Sequence, residues 1–399
     1  MTAVEDKPEA RDGAGGGWGA EAKDRRPSFV EVDLDAIDRN LRKLTGLTAG
    51  QEDCRMMAVV KANAYGHGAV PVAKRALQSG ADWLGVALPQ EALELRDAGI
   101  SAPILTLGYT EPEAYEQLIR AGIRMTVYSL SQGKAMAEAA RDTGEKARIH
   151  LKMDTGMSRI GFFPTEEAIG ELKALASLAE LEMEGCFTHF ARSDEAEEES
   201  WRTQFRLFMD FLARLKQEGL TFPIVHCANT AAGMRDKTSM LNMFRCGIGI
   251  YGLYPSEAAE AWGILDLEPA LRWISRLSHV KWLPKGQGVG YGHTWIAKRD
   301  TLVGTVPLGY ADGYIKAFNN KGIVLVGGRR APVIGVVCMD QFMVDLTETP
   351  GACAGDEVVL IGSQGNENIG AQELGALAGA NNYQMVCTIS GRIPRRYIG

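Results

Sequence analysis

The chain has 399 residues, enough for two domains, with an ordinary globular composition of 46% hydrophobic and 23% charged residues. Its 43 Lys and Arg against 50 Asp and Glu leave a net charge of −7, which argues against nonspecific nucleic-acid binding. No apolar run approaches a membrane span, the N-terminal segment lacks a signal-peptide core, and none of the seven cysteines forms a CxxC pair. A cytoplasmic protein with reduced thiols, no membrane contact and no zinc knuckle is therefore expected.

Residues 1–27 are polar, charged and glycine-rich, so a disordered tail is predicted there. Phe29–Asp33 alternates as a strand with one buried face. Asp35–Leu44 has helical spacing. Next comes Met56–Gly68, reading MMAVVKANAYGHG: five apolar residues, then Lys61 and a glycine-punctuated turn. A short apolar run bounded by a turn signals a strand buried on both faces, so Lys61 falls where the chain leaves the core.

Seven more runs follow, at 83–87, 103–107, 124–127, 147–152, 181–188, 224–227 and 243–246, separated by helical patterns. Eight strands alternating with helices predict an α/β fold, a (β/α)8 TIM-type barrel over 28–268, with strand 28–33 joining what comes after it. Beyond residue 268 the segments are β-like and separated by Gly, Asn or Asp turns, with one late helix. A mainly β C-terminal domain over 269–399 is predicted.

Polar residues recur where the barrel strands end. These are Lys61 and Tyr65, then Lys152, Asp154 and Arg159, then Thr188-His189, then His226, Asn229 and Thr230, then Arg245 before the glycine-rich 246–249. In a parallel barrel these ends converge on one mouth, and the turn after the last strand commonly cradles phosphate. A lysine at a strand end is partly desolvated, which favours its neutral, nucleophilic form. With a phosphate cradle and no metal-ligand cluster, the combination suits a phosphate-bearing aldehyde cofactor condensed onto Lys61. KGQGVG (285–290) lacks the strand-turn-helix setting of a nucleotide loop, and the charge run 194–199 reads as a solvated helix start.

Nine motifs in order carry a closer resemblance: VVKANAYGHG, LKMDTGMSRIG, THFA, HCANTAA, RCGIGIYG, VGYGHTW, PLGYADGY, VCMDQ and CTISGRIPR. From about residue 28 to the end the sequence resembles the alanine racemases, pyridoxal-phosphate enzymes of barrel-plus-β architecture. The resemblance implies that Lys61 binds the cofactor aldehyde and acts as one base. Tyr291 is the second base, reaching the site from the other subunit of a homodimer. Arg245 faces the pyridine nitrogen; Tyr65, Thr230 and the backbone of Gly247 and Ile248 hold the phosphate. Arg159 contacts the ring hydroxyl and the substrate carboxylate, and Met339 supplies a second carboxylate anchor. His189, beside the catalytic tyrosine, and Asn229 complete the cofactor surroundings. Tyr310, Cys338 and Asp340 line the entrance or stand behind it. Lys152, placed beside the cation Arg159, is expected to be carbamylated, as it is in many relatives.

By the same resemblance the reaction interconverts L- and D-alanine and feeds peptidoglycan synthesis, with no metal and no nucleic acid involved. One position departs from the family: Gly391 stands where a tyrosine is usual, so serine or a broader range of substrates is an alternative. A decarboxylase of the same architecture is more remote, because Arg245 and Tyr291 argue against it. The complete β domain argues equally against a non-catalytic carrier.

Overall fold

The structure, a computed structural model, describes residues 26–51 and 53–399. The tail predicted over 1–27 lies outside the described residues up to residue 25. Arg26 does not fit that prediction: its guanidinium pairs with Asp312 at 2.7 Å. The described chain divides into two units, a barrel unit over Leu34–Ala270 and a β unit that joins residues up to Asp33 with Leu271–Ile398.

In the β unit the first strand, β1 (Phe29–Asp33), pairs with Leu271–Arg276 on one side and Arg395–Ile398 on the other. Its alternating sequence explains the alternating burial, with Val30 and Val32 fully buried. The first and last described strands thus lie side by side in one ten-stranded sheet. The sequence pattern shows the segments at 279–283, 301–306 and 323–326 but not the strand Leu271–Arg276, nor the second late helix, Asn382–Cys387.

The barrel unit contains β2 (Arg55–Val59), β3 (Trp83–Val86), β4 (Ile104–Thr106), β5 (Arg124–Val127), β6 (Ala147–Lys152), β7 (Leu181–Phe187), β8 (Ile224–His226) and β9 (Met243–Cys246). They form an eight-stranded sheet in the order β8-β7-β6-β5-β4-β3-β2-β9, with every described pairing parallel. β8 and β9 approach through Asn242, whose side-chain oxygen accepts from Val225 N at 2.7 Å. Both faces of the sheet are covered, which is why runs such as Met56–Val60 need no polar alternation. Because the strands are parallel, the residues that follow them emerge at one end, and that end carries the site.

Candidate active site

Lys61 opens an unusual turn. Ala62, Asn63, Ala64 and Tyr65 all have φ between 52° and 53°, a left-handed helical turn built without glycine until Gly66. Each such residue costs about 1–2 kcal/mol, so the surroundings must impose it. They do so by hydrogen bonding. Ala64 N donates to Val60 O at 2.8 Å and Gly68 N to Asn63 O at 2.8 Å. Asn63 Oδ1 accepts from Ala69 N, and the Glu91 carboxylate accepts from the amides of Ala62, Ala87 and Leu88. The glycine-rich motif predicts a turn but not its hand. The turn reverses the chain at once, so Lys61 stays at the strand end while Tyr65 folds back into the core, where it is 7% exposed.

Tyr65 meets the turn after β9. A Cβ added at Gly247 would lie 2.9 Å from the Tyr65 hydroxyl, so only glycine leaves that hydroxyl its place. Gly247 N donates to Thr230 Oγ1 at 3.1 Å, which leaves the Thr230 hydroxyl proton available as a donor. Ile248 begins a short 3-10 turn, so its N–H has no partner within that turn. These hydroxyl and amide groups lie together at the turn that follows β9. Asn229 caps the helix Thr230–Arg235, its side-chain oxygen accepting from Ala232 N at 3.0 Å.

Behind that turn sits Arg245, 4% exposed. Its guanidinium donates to Thr188 O at 3.0 Å, Cys227 O at 2.9 Å, His226 Nδ1 at 2.9 Å and His189 Nδ1 at 3.2 Å. All four acceptors are neutral. Burial lowers Arg245 to about 10, still protonated at neutral pH. Burial, then the charges of Arg245, Arg159, Lys152 and Lys61, push His189 far below the ordinary histidine value, so it is a neutral acceptor.

Lys152 ends β6 inside the barrel, 2% exposed, donating to Met153 O at 2.7 Å. Burial lowers it to about 8; Asp154 opposes the shift, while Arg245 and Arg159 add to it. Asp154 shapes the next turn by accepting from the amides of Gly156 and Ser158, both at 3.0 Å, and that turn presents Arg159 at the surface. The barrel unit therefore gathers Lys61, Tyr65, Lys152, Arg159, His189, Thr230, Arg245, Gly247 and Ile248 at one end.

The remaining candidates lie in the β unit. Tyr291 stands in a 3-10 turn after Gly290, between the paired segments Gly288–Val289 and Trp295–Ile296, and is 75% exposed. A cavity beside it is lined by Cys338, Gln341 and Met343. Three motifs converge on another turn: Tyr310 N donates to Cys338 O at 3.0 Å, Ala311 N to Met339 O at 3.1 Å, and Ser390 N to Asp312 O at 3.0 Å. Met339 is exposed, and Asp340 pairs with Arg392 at 2.8 Å. Gly391, between Ser390 and Arg392, faces open space: a Cβ there would meet nothing within 4 Å.

Two functional candidates are absent from the sequence reading: His150, in the middle of β6, and Glu184, in β7. The available signal was a polar side chain inside strands that otherwise read as buried.

Fold and site together define a barrel enzyme with a second, β-rich domain. The family model described as alanine racemase, N-terminal domain, matches residues 32–255, and that described as alanine racemase, C-terminal domain, matches 270–397. The alanine racemase of Symbiobacterium thermophilum is 46% identical over 94% of this chain and 98% of its own length. That of Desulforamulus reducens is 43% identical over 94% of this chain and 100% of its own. The crystal structure of the Bacillus anthracis alanine racemase with bound L-Ala-P superposes with a TM-score of 0.91, at 40% identity, covering 95% of this chain and 96% of that one. The chain belongs to the alanine racemase family, and so is an isomerase.

Proposed function

We propose that this chain interconverts L- and D-alanine with pyridoxal 5'-phosphate, through Lys61 and Tyr291, and that it works as a homodimer in which Tyr291 of one copy completes the site of the other. The observation that carries the reading is the convergence of Lys61, the Tyr65–Thr230–Gly247 cradle and Arg245 at one barrel end. The cradle suits a phosphate: its donors are neutral hydroxyls and amides, and Gly247 alone keeps the Tyr65 hydroxyl beside them. Arg245 suits a ring nitrogen that accepts a hydrogen bond, since a guanidinium offers donors only and cannot hold a proton there. The bound cofactor would supply an electron-withdrawing ring that makes the substrate's Cα–H acidic. The chain supplies the rest. Lys61 and Tyr291 move protons at Cα on opposite faces, because one base cannot easily reach both. Arg159 and the Met339 backbone orient the substrate carboxylate, and Tyr310, Cys338 and Asp340 shape its approach. His189 and Asn229 stand behind these groups.

No helix among the described residues is long and apolar enough to cross a membrane. The seven cysteines, none in a CxxC pair, support a reducing, cytoplasmic setting, where D-alanine would enter peptidoglycan synthesis.

Lys152 is proposed to carry a carbamate. Its neutral amine attacks CO2, forms an N–C bond and loses a proton to solvent, leaving an anion among the cations Arg159 and Arg245. The step needs the neutral amine. With the ammonium titrating at about 8, roughly half is neutral at pH 8 and roughly one part in a hundred at pH 6. Carbamate occupancy is expected to fall as pH drops below about 8. Intact mass after gentle preparation, or extra density at Nζ, checks it; an unmodified lysine at pH 8.5 in bicarbonate removes the proposal.

The open space at Gly391 favours a side activity toward serine. Apolar pockets reject an added hydroxyl weakly, so kcat/KM for serine is expected above about one ten-thousandth of that for alanine. Gly391→Tyr should lower the serine-to-alanine ratio. A chiral assay of both substrates decides, and a serine value under that limit ends the idea.

A further inference from the structure

Arg245 is buried without a carboxylate among its four recorded acceptors, yet one of its hydrogen bonds begins a longer chain. Arg245 Nη1 lies 2.9 Å from His226 Nδ1, His226 Nε2 lies 2.9 Å from His150 Nδ1, and His150 Nε2 lies 3.4 Å from Glu184 Oε2. Glu184 is fixed in turn by Arg124, through contacts at 3.0 and 3.3 Å. Both imidazoles are 0% exposed.

The chemistry of the two ends sets the direction of every bond. A guanidinium only donates, and an ionised carboxylate only accepts. His226 Nδ1 must therefore accept from Arg245, so its proton sits on Nε2 and is donated to His150 Nδ1. His150 then carries its own proton on Nε2 and donates it to Glu184. No other arrangement of neutral rings satisfies all three contacts. The ionisation states agree. Burial opposes charge on Glu184, but hydrogen bonds from His150 and Arg124 outweigh it and hold the carboxyl down at about 2. Burial lowers His150 against the pull of Glu184, and burial with the charge of Arg245 pushes His226 far down.

The surroundings are built for this chain. A Cβ on Gly185, beside β6, would fall 2.3 Å from His150 Nδ1, so glycine opens the slot through which that ring reaches His226. Phe187 stacks on His226 with ring centroids 4.7 Å apart and planes 3° from parallel. Since Glu184 is already paired with Arg124, the chain does not neutralise Arg245. What it supplies is direction.

We propose that His226, His150 and Glu184 are positioning residues for Arg245, a one-way hydrogen-bonded wire across the barrel interior that fixes the guanidinium's orientation and leaves no acidic N–H on the side of His226 that faces it. The proposal rests on the pyridoxal-phosphate reading only for its catalytic consequence, that Arg245 meets the ring nitrogen as a donor in a fixed pose. The wire itself belongs to the protein.

Neutron diffraction from deuterated crystals tests the wire directly. Deuterium is expected on Nε2 of both His226 and His150 and on Nδ1 of neither; density on either Nδ1 overturns it. The consequence is tested in Glu184→Gln, whose amide can donate as well as accept and so no longer sets the direction. Relative to wild type, kcat for alanine is expected to fall about tenfold, the scale seen for groups that orient a ligand from behind, with KM within about twofold and a shifted cofactor absorption band. Arg148→Gln removes a solvent-facing ion pair with Glu182 on the same two strands and should change none of these. If Glu184→Gln loses thermal stability but keeps wild-type kcat and spectrum, the positioning role is refuted. Purified wild type without cofactor would instead refute the reading of the site, while the neutron result on the wire would still stand or fall by itself.

Discussion

Tyr291→Phe is expected to lower racemase kcat/KM by about a thousandfold, within the range for loss of a positioned acid–base group. The ring is kept and only the proton-carrying oxygen goes. Two bases on opposite faces predict an asymmetric residue of activity. In D2O, one enantiomer of alanine should still exchange its α-hydrogen through Lys61, while the other should not. Equal loss of exchange from both enantiomers would contradict the two-base design. Tyr291 is 75% exposed in a single copy, which leads to a second outcome. Coexpressed Lys61→Ala and Tyr291→Phe chains, each inactive alone, should recover about a quarter of wild-type activity. Half of randomly paired dimers are mixed, and each mixed dimer has one intact site of two. A base supplied within one chain would give no recovery.

Arg245→Glu is expected to cut racemisation about a hundredfold or more and to raise transamination per turnover. A carboxylate can hold a proton on the ring nitrogen, which strengthens the electron sink and lengthens the life of the carbanion at Cα. The interior must also rearrange. Thr188 O and Cys227 O lose their donors, and a buried charge facing unpaired acceptors costs about 3–5 kcal/mol. The wire to Glu184 would then have a carboxylate at each end. Only a protonated ring can donate both ways, so one of His226 and His150 should become an imidazolium. Thermal denaturation, pyruvate formation and imidazole NMR report the three effects separately. Unchanged transamination per turnover would mean that the arginine does not restrain that side reaction.

Much of this site is legible in the chain. Lys61 is marked by an apolar run that stops at a charge, and Thr230, Arg245 and Gly247 stand where other strands end. The proposed phosphate cradle rests on a glycine-rich turn after the last strand. These are local signals, and a parallel barrel turns them into a shared site because it carries all its strand ends to one mouth. The strand Leu271–Arg276 is less legible because a strand this well covered shows only weak alternation, and its partners Phe29–Asp33 and Glu357–Gln364 are distant in sequence.

What the sequence determined by itself is the order of strands and helices in the barrel, and the family; the lysine and tyrosine are its candidates for acid–base work. Tertiary structure alone decided three other features. The left-handed hand of the 62–65 turn is held by the Glu91 carboxylate, which accepts from the amides of Ala62, Ala87 and Leu88, and local propensity opposes it. Asn229 caps the helix that begins at Thr230 while its side-chain oxygen also accepts from Ser193, 36 positions away in sequence. The wire from Arg245 to Glu184 links hydrogen-bonded partners up to 76 positions apart in sequence, through contacts of 2.9, 2.9 and 3.4 Å. Its direction comes from which groups can donate and which can only accept, and that constraint exists only when the barrel brings them into line.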